Sequence, residues 1–186
     1  MRKVAVIGSS GAIGRAFVDH YINDLSINSI FSFSRSSIGI DNNKVKHFSI
    51  DIENESSIEN AAKSVEETNF DEIIIASGLL HTNEFGPEKS IKDLKADNIL
   101  KVLNVNTVGP AIIGKYFLPL LNKDNKSVMA FLSARVGSIS ENKLGGWYAY
   151  RASKSALNQV IKTFSIELKR TNPKAIIIGL QPGTVD

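Results

Sequence analysis

The sequence predicts an α/β fold with a doubly wound parallel sheet, and three observations lead to this prediction. Short apolar runs recur along the chain and alternate with segments of helical period. The first run, residues 4–7, is followed at once by a glycine-rich turn and a helix. Runs that are apolar throughout are typical of parallel strands covered by helices on both faces. We therefore expect one domain over residues 1–186.

Composition excludes several classes of function. The formal net charge of +3 is weak and spread along the chain, which argues against binding to nucleic acid or an acidic membrane surface. The sequence has no cysteine and its three histidines lack metal-ligand spacing, so we expect neither thiolate chemistry nor a metal site. Because we find no secretory signal and no apolar segment of membrane-spanning length, we expect a cytoplasmic protein.

The turn after the first strand has glycines at positions 8, 11 and 14. A strand, a glycine-rich turn and a helix form the context of a dinucleotide-binding site. Gly8 allows the tight turn, Gly11 lets a pyrophosphate approach the backbone, and Gly14 lets the helix pack closely on the sheet. The phosphates would meet free N–H groups and the positive end of the helix dipole. The alternative is a plain strand–helix turn.

The other elements follow from the same patterns. Further strands are predicted at residues 30–33, 45–50, 71–76, 127–132 and 175–180, and helices at 56–68 and after residue 150. Residues 91–121 are predicted to form a helical hairpin or one long helical stretch. Pro110 cannot donate to the carbonyl four residues before it, so the helical stretch 91–121 should be interrupted near Asn106. A buried amide there needs partners, and Asn106 satisfies the kink, holds a water or a catalytic lysine, or does both.

Residues at three strand ends bear on nucleotide binding. The second strand ends in Ser34-Arg35, without the acidic residue that would bind both ribose hydroxyls, and an arginine accommodates a 2′-phosphate. We therefore expect NADP rather than NAD, with a solvated loop arginine as the alternative. Asp51 either accepts a hydrogen bond from an adenine amino group or acts as a turn or capping residue. The small residues 76–78 follow the fourth strand, where ligands bind in open α/β sheets.

Tyr150 and Lys154 are four residues apart, so they lie one turn apart on the same face of a helix. A phenol beside a fixed ammonium can titrate below its usual pKa of about 10, which suits proton transfer near neutral pH. Tyr148 has Ala152 at the corresponding position, so we assign the role to Tyr150.

These motifs, in this order, resemble those of the short-chain dehydrogenase/reductase family. Residues 132–139 and 145–154 look like the carbonyl-reductase-like branch, which includes sniffer-type and C-factor-like proteins. The resemblance implies a single NAD(P)-binding Rossmann domain that transfers a hydride between NADP(H) and a carbonyl or alcohol of a small molecule. It also implies a homodimer or homotetramer.

The resemblance further implies roles for individual residues. Tyr150 would be the general acid in reduction and the general base in oxidation. Lys154 would hold the nicotinamide ribose and lower the pKa of the tyrosine, Asn106 would keep a water that links Lys154 to solvent, and Ser133 would bind the substrate oxygen. The residues implied at the cofactor are Gly8, Ser10, Gly11, Ile13, Gly14, Arg35, Asp51, Ile52, Ala76, Ser77, Gly78, Tyr150, Lys154, Pro182, Gly183 and Val185.

The sequence departs from the family pattern at three places. Ala12 stands where the family usually has glycine, with Gly11 beside it. Ala134 stands at the position of the family's catalytic serine, which leaves Ser133, or Ser138, as its replacement. Family members continue for about 50 residues beyond the Pro-Gly turn, so we expect the C-terminal substrate-loop segment to be missing from this sequence. The missing serine keeps open an alternative, an NAD(P)-binding regulatory or signalling protein with little or no catalysis.

Overall fold

Six parallel strands form one sheet in the computed structural model, which describes residues 2–183. The strands are β1 (Arg2–Ile7), β2 (Ile27–Ser34), β3 (Val45–Ser49), β4 (Glu72–Ile75), β5 (Ser127–Leu132) and β6 (Ala175–Leu180). They lie in the order β3-β2-β1-β4-β5-β6, and every neighbouring pair is parallel. The chain reverses its direction of winding between β1 and β4, which opens a crevice at the carboxyl ends of these strands. The predicted doubly wound sheet is confirmed.

Helices cover both faces of the sheet. They are α1 (Ala12–Asn23), α2 (Glu55–Lys63), α3 (Ala96–Leu103), α4 (Gly109–Phe117) and α5 (Tyr148–Leu168). In β1, Val4 and Val6 belong to the core beneath α1, whereas Ala5 and Ile7 belong to the core beneath α2, α4 and α5. All four side chains are fully buried. This double burial explains why β1 is an apolar run rather than an alternating strand.

The helical stretch predicted over residues 91–121 is divided into pieces. It begins with a single 3₁₀ turn (Ile91–Asp93) and continues as α3, a π-helical turn (Asn104–Val108), α4 and a second 3₁₀ turn (Leu118–Leu120). In the π turn, the N–H of Gly109 donates to the carbonyl of Asn104, five residues before it. The predicted interruption near Asn106 is confirmed. It places the Asn106 side chain inside the protein, where it is 0% exposed.

The helix predicted over residues 56–68 is shorter than expected, because α2 ends at Lys63. The hydroxyl of Ser64 donates to the carbonyl of Ala61 at 2.7 Å. Such local side-chain bonds compete with helix continuation.

Candidate cofactor and catalytic site

The turn between β1 and α1 brings the start of the helix close against the end of the strand. Gly8 has a φ of +87°, and the N–H groups of Gly8 and Ser9 both donate to the carbonyl of Phe33, at 2.9 and 3.1 Å. A Cβ on Gly14 would overlap the carbonyl of Gly8, so α1 packs directly on the turn. Gly11 precedes α1 without a side-chain cap, and the first turn of α1 has no acidic residue. The helix therefore presents its first N–H groups and its positive end.

A cleft of about 390 Å³ extends from this turn along the carboxyl ends of the central strands. The predicted cofactor residues that line it are Gly8, Ser10, Gly11, Arg35, Asp51, Ile52, Ala76, Ser77 and Gly78. Ile13, Gly14, Tyr150, Lys154, Pro182 and Gly183 do not line the cleft itself. Pro182 and Gly183 follow β6 at the same edge of the sheet. Val185 lies outside the described residues.

One wall of the cleft contains residues that the sequence patterns did not identify. The ammonium of Lys101 on α3 lies 2.6 Å from a carboxylate oxygen of Glu53, and Asn104 donates to the same oxygen at 3.2 Å. Lys101, Glu53 and Thr82 all line the cleft. An ion pair between residues 48 positions apart leaves no periodic signal in the sequence, so no pattern could have indicated it.

The polar groups of the cleft fit a dinucleotide. The hydroxyl of Ser77 is buried and has no hydrogen-bond partner among residues 2–183, so it is available to a ligand. Arg35 lines the cleft with an exposed side chain. Asp51 acts partly as a turn residue, because one of its carboxylate oxygens accepts from the N–H of Glu53 at 3.0 Å, yet it also lines the cleft. The hydroxyl of Ser77, the uncapped helix end and the exposed guanidinium of Arg35 together suit a phosphate-bearing ligand.

Tyr150 and Lys154 lie together near the end of this cleft. Lys154 is 2% exposed, and its ammonium donates to the carbonyl of Leu132 at 2.7 Å. The same nitrogen lies 5.7 Å from the centre of the Tyr150 ring. A Cβ placed on Gly78, which lines the cleft, would lie 3.6 Å from the Lys154 nitrogen. The pair that the sequence pattern predicted is therefore assembled beside the turn after β4.

Burial dominates the titration of both residues in the protein chain. It lowers the pKa of Lys154 to about 8 and raises the pKa of Tyr150 above its ordinary value. The expectation that the ammonium depresses the pKa of the phenol is therefore wrong for the chain by itself, because the hydrogen bond from Lys154 goes to Leu132. At neutral pH the phenol keeps its proton and is a proton donor.

Asn106 fastens three segments together. Its amide oxygen accepts from the N–H of Leu79 at 2.7 Å, and its amide nitrogen donates to the carbonyl of Leu79 at 2.8 Å and to the hydroxyl of Ser153 at 3.0 Å. The π turn is thus tied to the segment after β4 and to α5. These bonds agree with the structural role considered for Asn106, and the water relay to Lys154 stays a prediction.

The hydroxyls of the two candidate serines after β5 lie against other side chains. Ser133 is 4% exposed, and its hydroxyl donates to the amide oxygen of Asn158 on α5 at 2.6 Å. Ser138 follows a 3₁₀ turn (Arg135–Gly137), and its hydroxyl lies 3.3 Å from that of Ser140. The single proton of Ser133 is occupied by a structural bond, which disfavours the predicted contact with a substrate oxygen.

Residues 2–183 show neither a metal-binding cluster nor a membrane-spanning helix. No group of three or more His, Cys, Asp or Glu side chains is arranged to hold a metal ion. None of the helices in this range combines the length and the apolar character needed to cross a membrane.

Similarity to known proteins identifies the family of the chain. The sequence profile described as short chain dehydrogenase matches residues 2–186. The chain belongs to the short-chain dehydrogenase family. The membership that the motifs predicted is confirmed.

Two curated relatives are similar in sequence to part of this chain. A 1-hydroxy-2-glutathionyl-2-methyl-3-butene dehydrogenase of Rhodococcus sp. (strain AD45) is 30% identical over 138 residues, which are 73% of this chain and 57% of that protein. The C-signal protein of Myxococcus xanthus is 31% identical over 97 residues, which are 52% of this chain and 57% of that protein. The matched regions thus cover little more than half the length of each relative.

Solved structures share the fold closely. The carbonyl reductase Sniffer of D. melanogaster has a TM-score of 0.87 at 23% identity, covering 98% of this chain and 81% of that one. The NADPH-bound carbonyl reductase from chicken fatty liver has a TM-score of 0.85 at 22% identity, covering 100% of this chain and 80% of that one. At these identities the likeness concerns the fold alone.

Proposed function

We propose that the protein is an oxidoreductase that transfers a hydride between NADP(H) and a carbonyl or alcohol group of a small molecule. The observation that carries the proposal is the placement of Tyr150 and Lys154 on one face of α5, beside Gly78 at the cleft. Membership of the short-chain dehydrogenase family supports it, as do solved structures described as carrying NADP or NADPH.

The cofactor, when bound, supplies or accepts the hydride. The glycine turn and the first N–H groups of α1 would hold the pyrophosphate, and the hydroxyl of Ser77 would donate to the cofactor from the opposite wall. Arg35 would bind the 2′-phosphate that distinguishes NADP from NAD, and Asp51 would bind the adenine amino group. Lys154 would bind the ribose next to the nicotinamide.

The protein's own groups handle the proton. In reduction, the protonated phenol of Tyr150 donates to the substrate oxygen, and in oxidation its phenolate accepts the proton back. Lys154, with a pKa of about 8, can gain or lose a proton close to neutral pH. Asn106 binds both the segment after β4 and α5, and so fixes the position of Tyr150 and Lys154 relative to that segment.

Replacing Tyr150 with phenylalanine tests the proposal. NADPH-dependent reduction is measured with the intact protein over a panel of aldehydes and ketones. We expect Tyr150→Phe to lower kcat by about 100-fold or more, because the proton donor is lost, and to leave NADPH affinity unchanged. Tyr148→Phe, on the same turn, should retain activity. An inactive wild type across the panel, or an active Tyr150→Phe variant, contradicts the proposal.

One observation favours a second candidate, an NAD(P)-binding regulatory or signalling protein. Ala134 carries no hydroxyl, and the hydroxyl of Ser133 is occupied by Asn158. Binding of NADPH without turnover of any compound in the panel would favour this candidate. The oligomeric state and the cytoplasmic location stay predictions.

A further inference from the structure

Glu88 is a buried carboxylate that the proposed reaction does not use. It lies in the segment between β4 and the 3₁₀ turn Ile91–Asp93 and is 6% exposed. Among residues 2–183, Glu88 and Lys154 are the charged side chains that are buried. Burying a carboxylate is costly unless hydrogen bonds or charges compensate, so its surroundings need an explanation.

Glu88 binds the start of α5, the helix that carries Tyr150. Its carboxylate accepts from the N–H of Ala149 at 3.2 Å, and its backbone carbonyl accepts from the N–H of Trp147 at 2.6 Å. Ala149 immediately precedes Tyr150. Trp147 occupies the capping position in a left-handed conformation, with a φ of 53°, and supplies no side-chain cap.

The first turn of α5 contains no acidic residue of its own. A helix start leaves N–H groups without partners and carries a partial positive charge. Glu88 therefore provides both an acceptor for one of these N–H groups and a negative charge beside the helix end. Glu88, 61 positions before Ala149, performs the role that a capping residue usually performs locally.

The turn before α5 is shaped to meet Glu88. Gly145 and Gly146 have φ values of +67° and +65°, which favour glycine. A Cβ on Gly146 would lie 3.2 Å from the carbonyl oxygen of Glu88, so the two backbones approach closely. Arg151 closes the turn from the helix side by donating to the carbonyls of Gly146 and Gly145, at 3.1 and 3.3 Å.

The segment that carries Glu88 is itself anchored. One carboxylate oxygen of Asp93 accepts from the N–H groups of Lys89 and Ser90, at 3.0 and 2.9 Å. These two residues follow Glu88 directly. Glu88 thus presents its carboxylate to α5 from a fixed support rather than from a free loop.

We propose that Glu88 is a positioning residue that fixes the first turn of α5 and, with it, the phenol of Tyr150. The Trp147 ring stands edge-on to the Tyr150 ring, with centres 6.2 Å apart, so a shift of the capped turn is transmitted to the phenol. Where the inference concerns catalysis, it rests on the proposed reductase function. Where it concerns the turn, it stands on the contacts of Glu88 alone.

Trp147 allows a direct test, because it is the only tryptophan in the sequence. Glu88→Met has nearly the same length and is suited to burial, but it cannot accept the Ala149 N–H. Glu88→Gln keeps an acceptor oxygen at the same place. We expect the acrylamide quenching of Trp147 to increase about twofold in Glu88→Met, because the turn opens locally, and to stay near the wild-type value in Glu88→Gln. Glu84→Ala, an exposed glutamate in the same segment, is the matched control.

Kinetics provide the second measurement. In Glu88→Met, kcat should fall about tenfold because the phenol is misplaced, whereas the Kd for NADPH should change less than about twofold. Glu88→Gln should recover most of kcat. Wild-type quenching in Glu88→Met overturns the inference, and so does an unchanged kcat in an active enzyme. If the wild type has no reductase activity, the proposed function fails, and the quenching result still decides whether Glu88 fixes the turn.

Discussion

The ammonium nitrogen of Lys154 lies 5.7 Å from the centre of the Tyr150 ring, yet it donates its hydrogen bond to the carbonyl of Leu132. The lysine charge is therefore held at the end of β5 rather than on the phenol. Burial then sets the two pKa values in opposite directions, with Lys154 lowered to about 8 and Tyr150 raised. In the protein chain the tyrosine is a proton donor, and the lysine is the group that titrates closer to neutrality.

The lowered pKa of Lys154 predicts a dependence of stability on pH. The folded chain loses this proton near pH 8, whereas the unfolded chain loses it near 10.5. Between these values the unfolded state binds more protons, so the free energy of unfolding rises with pH in this window. The free energy of unfolding of the wild type, relative to that of Lys154→Met, should rise by about 2 kcal/mol from about pH 7 to about pH 10. Urea denaturation at each pH measures this difference.

The comparison with Lys154→Met isolates the titration, because the unpaired Leu132 carbonyl of the variant costs the same at every pH. Lys162→Met, at an exposed position of the same helix, is the control. The difference between its free energy of unfolding and that of the wild type should not change with pH. If the difference in free energy of unfolding between the wild type and Lys154→Met does not change with pH, burial does not shift the pKa of Lys154.

Arg35 should determine the preference between the two nicotinamide cofactors. Arg35→Ala removes a guanidinium at the cleft, so NADPH affinity should fall about 10- to 100-fold, as expected for loss of charge-assisted bonds to a phosphate. NADH affinity should change less than about threefold, because NADH has no 2′-phosphate. Fluorescence titration measures both, with the exposed Arg170→Ala as control. Equal losses, or a wild type that prefers NADH, would refute the assignment.

Local patterns predicted the sheet and the helix interruption because their causes are local. Val4 and Val6 are buried on one face of β1 and Ala5 on the other, so burial on both faces of the sheet requires consecutive apolar residues. Pro110 acts on the carbonyl four residues away, which is also a local effect.

The side-chain partners were not predictable in this way. The bond from Ser133 to Asn158 spans 25 positions, and the bond from the N–H of Ala149 to Glu88 spans 61. The family pattern indicated Tyr150 and Lys154, but it did not indicate that Lys154 donates to Leu132. These contacts depend on how the helices pack, which no periodicity encodes.

Two glycines of the turn after β1 should differ in their roles, Gly14 in stability and Gly11 in cofactor binding. A Cβ on Gly14 would overlap the carbonyl of Gly8, so Gly14→Ala should lower the free energy of unfolding by about 1–3 kcal/mol. At Gly11 the nearest atom would be 3.6 Å away and φ is −77°, so Gly11→Ala should fold normally. If a pyrophosphate approaches this backbone, Gly11→Ala should instead weaken NADPH binding. Normal binding by Gly11→Ala would place the phosphates elsewhere.

Asn106 should matter more for stability than its neighbour in the π turn. Asn106→Ala leaves both backbone groups of Leu79 without their partner, which should cost about 2–4 kcal/mol. Asn104→Ala removes one bond to the partly exposed Glu53 and should cost less than about 1 kcal/mol. Urea denaturation of the two variants compares them directly. Similar costs would mean that the Asn106 amide bonds do not hold the segment after β4.

Ala134 should be a position where a hydroxyl improves the proposed reaction. Its backbone is extended, with a φ of −158° and a ψ of 151°, so serine fits there without strain. A donor near the reacting oxygen stabilises charge in the transition state, so Ala134→Ser should raise kcat about tenfold and leave the Kd for NADPH unchanged. Ser133→Ala should lower stability by about 1 kcal/mol, because it leaves Asn158 without its donor, and should change kcat little. If Ser133→Ala instead abolishes turnover in a stable protein and Ala134→Ser has no effect, Ser133 is the substrate contact after all.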